Sequence, residues 1–291
     1  MNSVGVIGLG LIGGSMARAA SSRAGCKVYG YDADAEVVAA AIREGVLAGK
    51  LEDHYEDIEL LIVALYPPDV VDIISQVASK LSKECIVIDC TGVKKIICTQ
   101  LSGKLPNNIR FIGGHPMAGK EVAGYTNSCD DMFDGASMIL CRDEYTDDEA
   151  LKAACGFFPK LGFAQVKVTT WEEHDSVIAY TSQLAHIVSS AYIKSPTLDK
   201  RYGFSAGSFK DMTRVAKLNE DMWADLFLAN SDALLFEINE ITGHLDEYAR
   251  AVKEGDRDAL VRLLREGRVR KENDTDREVA LKEKKDPWIS D

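Results

Sequence analysis

The stretch Val4-Gly5-Val6-Ile7-Gly8-Leu9-Gly10-Leu11-Ile12-Gly13 decides the fold of this chain of 291 residues. Its apolar start predicts a buried strand, and a G-x-G-x-x-G follows at once and opens a helical pattern. In such a turn Gly8 allows the tight bend, Gly10 lets a pyrophosphate approach the backbone, and Gly13 lets helix and strand pack closely. The N–H groups that begin the helix then face the phosphates. A glycine-rich turn without a ligand is the alternative, and an acidic residue further along the chain disfavours it.

That acidic residue is Asp32, which ends the second apolar run, 19 positions after Gly13. A carboxylate there accepts hydrogen bonds from adenosine ribose hydroxyls and repels a 2′-phosphate, and no Arg or Lys stands in the three residues that follow. We therefore expect NAD rather than NADP as the cofactor. The competing interpretation is that Asp32 only caps the next turn. The expected cofactor-binding residues are Gly8, Gly10, Leu11, Ile12, Gly13 and Asp32.

Outward from this motif, seven apolar runs alternate with helical patterns. Most of the runs are hydrophobic throughout, which is typical of parallel strands covered on both faces. They occupy residues 4–7, 27–31, 60–65, 85–89, 110–112, 137–140 and 164–168, and several are separated by segments long enough for crossover helices, at residues 15–24, 36–44, 70–81 and 147–161. The alternation predicts an α/β fold that begins with a doubly wound Rossmann domain over residues 1–169.

The second part of the chain has a different pattern. Strand-like runs stop after about Thr170, and helical patterns with polar starts follow at residues 172–190, 221–242, 243–254 and 256–272. A chain of this length commonly contains about two domains. We therefore expect residues 170–291 to form an all-helical second domain.

Apolar residues cover much of the circumference of the helix predicted around residues 226–245, so the helix needs cover on more than one side. They are Leu226, Phe227, Ala229, Ala233, Leu234, Phe236, Ile238 and Ile241. We expect this apolar stripe to form a subunit interface, and thus a homodimer. The alternative is the buried central helix of a monomer.

The composition excludes several classes of protein. Acidic residues outnumber basic ones by 46 to 34, and a formal charge of −12 is a poor match for non-specific nucleic-acid binding. No apolar run approaches the ~20 residues of a membrane span, and the N-terminus lacks the basic region of a signal peptide. The seven cysteines are scattered and form no C-x-x-C pair, which is typical of reduced thiols. We expect a cytoplasmic protein that binds neither nucleic acid nor membranes.

Two segments at predicted strand ends carry candidate catalytic groups, because ligands of this fold bind beyond the carboxyl ends of the strands. The segments are residues 89–94 and 113–121. His115, in the second, has small neighbours, and its imidazole is suited to taking up a proton near neutral pH. Beside a nicotinamide it would accept the hydroxyl proton of an alcohol as hydride leaves the carbon. A histidine that only hydrogen-bonds its own loop remains equally open on spacing alone.

The helical part adds His186, in Thr-Ser-Gln-Leu-Ala-His, and Arg214, in Phe-Lys-Asp-Met-Thr-Arg. A guanidinium binds a carboxylate through two parallel hydrogen bonds, so Arg214 is a candidate anchor for an acidic substrate. The alternative is a surface ion pair with Asp211, three residues earlier.

The remaining histidines are His54, His174 and His244. Their neighbours are polar, so we expect them to face solvent or to cap helices. No pair of histidines has a metal-ligand spacing such as H-E-x-x-H, and we therefore expect no catalytic metal.

Together these motifs resemble the prephenate dehydrogenase family. The matching stretches are Gly-Leu-Gly-Leu-Ile-Gly-Gly-Ser at residues 8–15, His-Pro-Met-Ala-Gly at 115–119, Thr-Ser-Gln-Leu-x-His at 181–186 and Asp-x-Thr-Arg at 211–214, followed by Trp223. The resemblance runs from about residue 3 to residue 270. The glycine motif is shared by many dehydrogenases, whereas the His115 and His186 motifs together are much more specific.

The resemblance implies NAD-dependent oxidative decarboxylation of prephenate to 4-hydroxyphenylpyruvate, a step of tyrosine biosynthesis. His115 would accept the ring hydroxyl proton while hydride passes to NAD, and loss of carbon dioxide would make the ring aromatic. Arg214 would bind a substrate carboxylate and His186 would line the pocket. Glu121 and Trp223 would help to close it, Trp223 from its own or a partner subunit. The family's second domain is helical and dimerising, in agreement with the apolar stripe.

One departure from the family concerns the first catalytic segment. Many members have Gly-Ser where this chain has Thr91-Gly92, so a serine hydroxyl near the catalytic histidine is missing. Thr91 is the candidate that would supply this hydroxyl, one position earlier, as a substrate-binding residue.

Three alternative functions remain. Arogenate dehydrogenase performs the same chemistry on a substrate with an amino group in place of the side-chain keto oxygen. A β-hydroxyacid dehydrogenase would need a catalytic lysine where this chain offers His186, with Lys194 only near the helix end. A non-catalytic NAD-binding sensor would need the glycine loop and Asp32, but not the combination of His115, His186 and Arg214.

Overall fold

An eight-stranded sheet forms the centre of the first part of the chain. The computed structural model describes residues 1–82, 84–106, 109–120, 122–204 and 206–282, the last five as backbone only. The strands are β1 (Ser3–Ile7), β2 (Lys27–Tyr31), β3 (Gly49–Lys50), β4 (Leu60–Val63), β5 (Ile86–Asp89), β6 (Arg110–Pro116), β7 (Ser137–Cys141) and β8 (Gln165–Thr169). All seven predicted strands are present. The eighth, β3, has only two residues and is too short to show a hydrophobic run.

The strand order β3-β2-β1-β4-β5-β6-β7-β8 creates a ligand crevice. Strands β1 to β6 pair in parallel. The chain moves outward from β1 to β2 and β3 and then returns to β4 on the other side of β1. In a doubly wound sheet this reversal leaves a crevice beyond the carboxyl ends of β1 and β4.

Strand β7 runs antiparallel to β6, and β8 is parallel to β7. The expectation of parallel strands is therefore wrong for this edge of the sheet. The described residues between β6 and β7 contain no crossover helix. They pack instead at the start of helix α1 (Leu11–Ser22), where the backbone N–H of Cys129 donates to Ser15 Oγ over 3.1 Å. Because this contact keeps the chain at the carboxyl edge of the sheet, β7 starts there and runs back.

Helices cover both faces of the sheet. They are α1, α2 (Ala35–Arg43), α3 (Pro67–Ala78), α4 (Lys95–Leu101) and α5 (Asp148–Phe157). Leu60 and Ile62 of β4 point into one hydrophobic core, while Leu61 and Val63 point into the other. Burial on both faces explains why the strand sequences are hydrophobic throughout.

The second part of the chain is helical, as predicted. Residues 171–193 form one long helix, made of α6 (Trp171–Ile178), a π-helical segment (Ala179–Leu184) and α7 (Ala185–Ile193). It is followed by α8 (Gly207–Thr213), α9 (Glu220–Ala229), α10 (Ser231–Glu254) and α11 (Arg257–Lys282).

The predicted boundary between residues 242 and 243 is wrong, because α10 continues through Gly243. The helix breaks at Asn230 instead. The buried Asn230 amide donates to the carbonyl of Asp175 over 2.9 Å and to Gln183 Oε1 over 2.8 Å. These partners lie about 50 residues away along the chain, so periodicity could not reveal the break.

Two further sequence expectations concern cysteines and membrane spans. All seven cysteines lie within the described residues as free thiols, and five of them are buried. Burial raises the pKa of the Cys85 thiol to about 12, so this side chain serves packing rather than reactivity. Within the described residues, none of the helices combines the length and hydrophobicity that a membrane-spanning segment requires.

Candidate active site

The glycine loop has the geometry that its sequence predicts. Gly8 adopts a φ of +83°, and a Cβ there would lie 2.5 Å from the carbonyl oxygen of Ala64. At Gly13 a Cβ would lie 1.8 Å from the carbonyl oxygen of Gly8. A Cβ at Gly10, by contrast, would meet no atom within 4 Å. Neither Gly8 nor Gly13 can therefore bear a side chain, while Gly10 leaves the backbone open on its outer side.

The start of α1 fits a phosphate group. Gly10 is the residue that precedes the helix, and no side chain caps the first turn. The N–H groups of this turn carry the positive end of the helix dipole, which favours an anion. The open surface above Gly10 and the uncapped helix start together fit the pyrophosphate of a dinucleotide.

Asp32 lies beside this loop and fixes it. Its Oδ2 accepts from the backbone N–H of Leu9 over 2.7 Å, and its Oδ1 accepts from that of Asp34 over 2.9 Å. Asp32 thus caps the following turn, as the competing interpretation holds. A carboxylate has about four acceptor positions, and this one is only partly buried. It therefore retains acceptor capacity for ribose hydroxyls.

His115, near the end of β6, belongs to a hydrogen-bonded row of three side chains. Its Nδ1 lies 2.9 Å from Nε2 of His174, and Nδ1 of His174 lies 2.7 Å from Oδ1 of Asp175. His174 and Asp175 are buried on α6, at 2% and 4% exposure, whereas His115 is partly exposed. The expectation that His174 faces solvent or caps a helix is therefore wrong. The polar residues beside His174 in the sequence suggest an exposed position. The face of α6 that carries His174, however, packs against α4 and β6.

Burial and nearby charges lower the pKa of His115 well below its usual 6.5, with burial the largest cause and His174 and Lys94 the next. Burial also lowers the pKa of His174, against the opposing effect of Asp175. Both imidazoles are consequently neutral near pH 7. A neutral His115 is in the form that accepts a proton.

Lys94 and Asp89 form a fully buried ion pair beneath His115. Lys94 Nζ also donates to the carbonyl of Gly114 over 2.6 Å, and Asp89 Oδ1 accepts from the N–H of the same residue over 3.2 Å. The pair thus ties the end of β5 to β6 at the residue before His115. It fixes the backbone that carries the candidate base.

The Thr91 side chain is hydrogen-bonded to this ion pair. Its hydroxyl lies 2.6 Å from Asp89 Oδ2 and 2.8 Å from the carbonyl of Val93, and it accepts from Lys94 Nζ over 2.9 Å. The residue is 3% exposed. The prediction that Thr91 supplies a hydroxyl to the substrate side of His115 is therefore wrong, because the buried charges bind this hydroxyl instead.

The open side of His115 faces the helical part of the chain. A Cβ on Gly92 would lie 3.9 Å from His115 Nε2 and 3.5 Å from Leu226 Cδ2. Leu226 lies on α9, one turn after Trp223, and the Trp223 ring stacks on His186 with a centroid distance of 3.8 Å. These neighbours lead from His115 along one side of its ring, here called the cleft, through Leu226 to Trp223 and His186 of the same chain.

His186 is oriented by its own helix. Its Nδ1 lies 2.9 Å from the carbonyl of Ser182, in the π-helical segment. A carbonyl only accepts, so this nitrogen carries a hydrogen. The bond orients the partly buried ring, on which Trp223 stacks.

The other predicted site residues have different positions. Arg214 lies in the short turn Arg214–Ala216, which packs against α7, and its side chain is exposed. Glu121 lies outside the described residues. His54 pairs with Asp57, and the exposed His244 pairs with Glu247. In the part of the chain that the structure describes, no group of three or more His, Cys, Asp or Glu residues could hold a metal ion.

Comparison with known proteins decides the family. The model of the prephenate dehydrogenase nucleotide-binding domain matches residues 16–167, and that of the prephenate dehydrogenase dimerization domain matches residues 170–266. The chain belongs to the prephenate dehydrogenase family. It is 32% identical to cyclohexadienyl dehydrogenase of Zymomonas mobilis over 278 residues, which cover 90% of this chain and 92% of that relative.

Other members of the prephenate dehydrogenase family are similar in sequence and structure. Prephenate dehydrogenase of Bacillus subtilis is 28% identical over 270 residues, covering 89% of this chain and 72% of its own. The crystal structure of prephenate dehydrogenase from A. aeolicus, in complex with hydroxyphenyl propionate and NAD+, has a TM-score of 0.83 at 28% identity. It covers 94% of this chain and 98% of its own. A Rossmann-like domain followed by a helical domain is thus the fold of the family.

Three residues around His115 have contacts that the sequence did not reveal: Lys94, His174 and Asp175. A signal for the histidine was present, because Ile178 follows His174 by four residues and so shares its helix face. Both residues are buried. For Lys94, the signal was its position directly after Gly92-Val93, just beyond the end of a strand.

Proposed function

We propose that this chain catalyses the NAD-dependent oxidative decarboxylation of prephenate to 4-hydroxyphenylpyruvate, a step of tyrosine biosynthesis. The observation that carries the proposal is the position of His115. One side of its ring is held by His174, while Nε2 is directed towards the cleft that Gly92 and Leu226 border. Membership of the prephenate dehydrogenase family supports the same reaction.

The glycine loop and Asp32 are the residues that would hold the cofactor. Gly8, Gly10, Leu11, Ile12 and Gly13 would receive the pyrophosphate at the start of α1, and Asp32 would receive the adenosine ribose. The structure of a relative with bound NAD+ supports this cofactor. Bound NAD would supply the acceptor for the hydride that leaves the ring carbon.

His115 would act as the general base on the ring hydroxyl. Its Nε2 takes the hydroxyl proton while the C–H bond at the same carbon breaks and a ring ketone forms. The ring carboxylate then leaves as carbon dioxide, and its electron pair makes the ring aromatic. The ring oxygen recovers the proton from His115, so the base is regenerated and the product is a phenol.

The substrate carries two carboxylates, which call for positively charged partners. We assign Arg214 to one carboxylate because a guanidinium can bind it through two hydrogen bonds. His186 and Trp223 would form a stacked wall of the pocket, and Glu121 would help to close it. These roles extend the family resemblance to the positions at which this chain matches it.

We also propose that the domains meet at residues 169 and 170 and that two chains associate through the second domain. In support, β8 ends at Thr169 and α6 begins at Trp171. The second family model describes a dimerization domain. Along α10, Leu235, Phe236 and Leu245 are 56–60% exposed, which favours an interface over the central helix of a monomer. The free cysteines fit a reducing compartment, and we place the enzyme in the cytoplasm.

The test is an assay of reduced cofactor at 340 nm, with prephenate or arogenate as substrate and NAD or NADP as oxidant. We expect turnover with prephenate and NAD, together with release of carbon dioxide. Turnover with arogenate alone would assign the chain to the alternative substrate. Absence of turnover with both substrates would contradict the proposed function.

A further inference from the structure

The row Asp175–His174–His115 has a defined hydrogen-bond direction. Asp175 is fixed at the start of α4, where its Oδ1 and Oδ2 accept from the backbone N–H groups of Lys94 and Lys95, each over 2.8 Å. The same Oδ1 faces Nδ1 of His174 over 2.7 Å. A carboxylate only accepts hydrogen bonds, so Nδ1 of His174 must carry the hydrogen.

The direction of this bond determines the state of His115. A neutral His174 that is protonated on Nδ1 has its lone pair on Nε2, and this nitrogen lies 2.9 Å from Nδ1 of His115. His115 therefore donates from Nδ1, and its own lone pair is on Nε2. That is the nitrogen that faces Gly92 and the cleft.

We propose that His174, held by Asp175, is a positioning residue that fixes His115 in the tautomer with an unprotonated Nε2. The inference rests on the proposed function, in which Nε2 accepts the substrate's hydroxyl proton. A ring with the opposite tautomer would present an N–H to the hydroxyl and could not act as a base. His174 thus acts through His115 and does not itself contact the substrate.

The loop after β5 cannot provide this orientation. Gly92 has no side chain, and the hydroxyl of Thr91 is bound to Asp89, Val93 and Lys94. Among the described residues, the groups whose charge acts on the His115 ring are His174 from α6 and Lys94 from the start of α4. Lys94 and Asp89 are paired with each other, which leaves His174 as the partner of the His115 ring.

The first test is ¹⁵N NMR of the full chain with labelled histidine, above the pKa of His115. Comparison with His115→Asn assigns the His115 signals among the five histidines. We expect the chemical shift of a protonated Nδ1 and a bare Nε2. A neutral His115 with its hydrogen on Nε2 would overturn the inference. This measurement does not depend on activity, so it remains decisive if the proposed function fails in the NADH assay.

The second test compares His174→Gln with His174→Phe. The Gln carbonyl can accept from Nδ1 of His115, whereas Phe cannot. We expect kcat to fall about tenfold in His174→Phe, close to the value of one neutral hydrogen bond, with little change in the KM for NAD. The NMR signals of His115 should shift towards the opposite tautomer, and His174→Gln should restore both kcat and the wild-type tautomer in large part.

The control for a merely structural effect is Thr170→Ala. Thr170 Oγ1 accepts from the N–H of Glu173 and caps α6, so its removal weakens the helix that carries His174 but leaves the row intact. We expect the wild-type tautomer and nearly wild-type kcat in this variant. Equal losses of kcat in Thr170→Ala, His174→Gln and His174→Phe, with an unchanged tautomer throughout, would refute the positioning role.

Discussion

Lys94 and Asp89 form an ion pair from which solvent is fully excluded, directly below the backbone of Gly114. Placing two charges in a core is costly, and it is tolerated only when the remaining hydrogen-bonding groups are satisfied. Here the carbonyl of Gly114 accepts from Lys94 and its N–H donates to Asp89. The pair therefore holds β5 and β6 together at the residue before His115, the candidate base. Its integrity should therefore matter for stability as well as for activity.

Replacement of Lys94 by Met should lower the free energy of unfolding by about 3–5 kcal/mol, because Asp89 would remain as an unpaired buried charge. Urea denaturation provides the measurement. The double variant Lys94→Met/Asp89→Asn should recover part of the loss, since a neutral amide needs no counter-charge. The matched control is Lys95→Met, at a lysine whose ion pair with Asp232 is exposed. A loss of stability in this control as large as that in Lys94→Met would contradict the stabilising role of the buried pair.

Replacement of His115 by Asn should reduce kcat by about 10²- to 10⁴-fold, the usual contribution of a positioned acid–base group. NAD affinity should hardly change, because the glycine loop and Asp32 bind the cofactor elsewhere. Stopped-flow or steady-state NADH formation measures kcat, and fluorescence titration measures NAD binding. His244→Asn, at an exposed histidine, is the control and should behave as the wild type.

The pH profile should report the lowered pKa of His115. The neutral ring is the active base, and a lowered pKa means that this form persists as the pH falls. The acid limb of kcat/KM should therefore lie below the ordinary histidine value of ~6.5, and it should be absent in His115→Asn. An acid limb at or above pH 6.5, or one retained in the variant, would assign the base to another residue, with His186 the first to examine.

Replacement of Asp32 by Ala should raise the KM for NAD by roughly tenfold or more, since hydrogen bonds to a charged group are among the stronger ones. The KM for NADP should fall or stay level, because repulsion of the 2′-phosphate is removed. Steady-state kinetics with NAD and NADP, measured in parallel, give the ratio of the two KM values. Asp34→Ala removes the neighbouring carboxylate that caps α2 and should leave the ratio unchanged. A wild-type preference for NADP would be incompatible with the proposed role.

Replacement of Arg214 by Ala should raise the KM for prephenate by about 10- to 100-fold and leave that for NAD nearly unchanged. Arg214→Lys should rescue little, because an ammonium lacks the planar pair of donors that binds a carboxylate. Arg268→Ala removes an exposed arginine of α11 that pairs with Glu272 and serves as the control. An equal rise in the KM for prephenate and the KM for NAD would indicate that Arg214 has a structural role.

Replacement of Phe236 by Glu should convert a dimer into monomers, because a charge would enter the apolar face of α10 that a second chain would cover. Light scattering at micromolar concentration measures the mass of wild type and variant. Tyr145→Glu places the same charge on an aromatic residue that is 64% exposed in the first domain, and it should leave the dimer intact. A monomeric wild-type chain would refute the proposed assembly.

Local patterns in the sequence were sufficient for seven of the eight strands and for the glycine turn of the first domain, but not for the direction of β7. A continuous apolar run followed by a glycine turn and a helical pattern favours a buried strand packed closely on a helix, and Asp32 follows at the end of the next strand. These features depend on residues that are neighbours along the chain. The same applies to the family motifs around His115, His186 and Arg214, which the sequence placed in one family before any contact was known.

The tertiary structure alone decided how the cleft is built. In the folded chain Thr91 is hydrogen-bonded to a buried ion pair, β7 runs antiparallel to β6, and Trp223 stacks on His186 of the same chain. Most clearly, it brought His174 to His115 across 59 positions of sequence. The polarity of its neighbours made His174 resemble a solvent-facing residue, but whether a helix face meets solvent or another element depends on how the helix packs. Packing between distant segments has no signature in a single local pattern, so the partner of the candidate base emerges only from the folded chain.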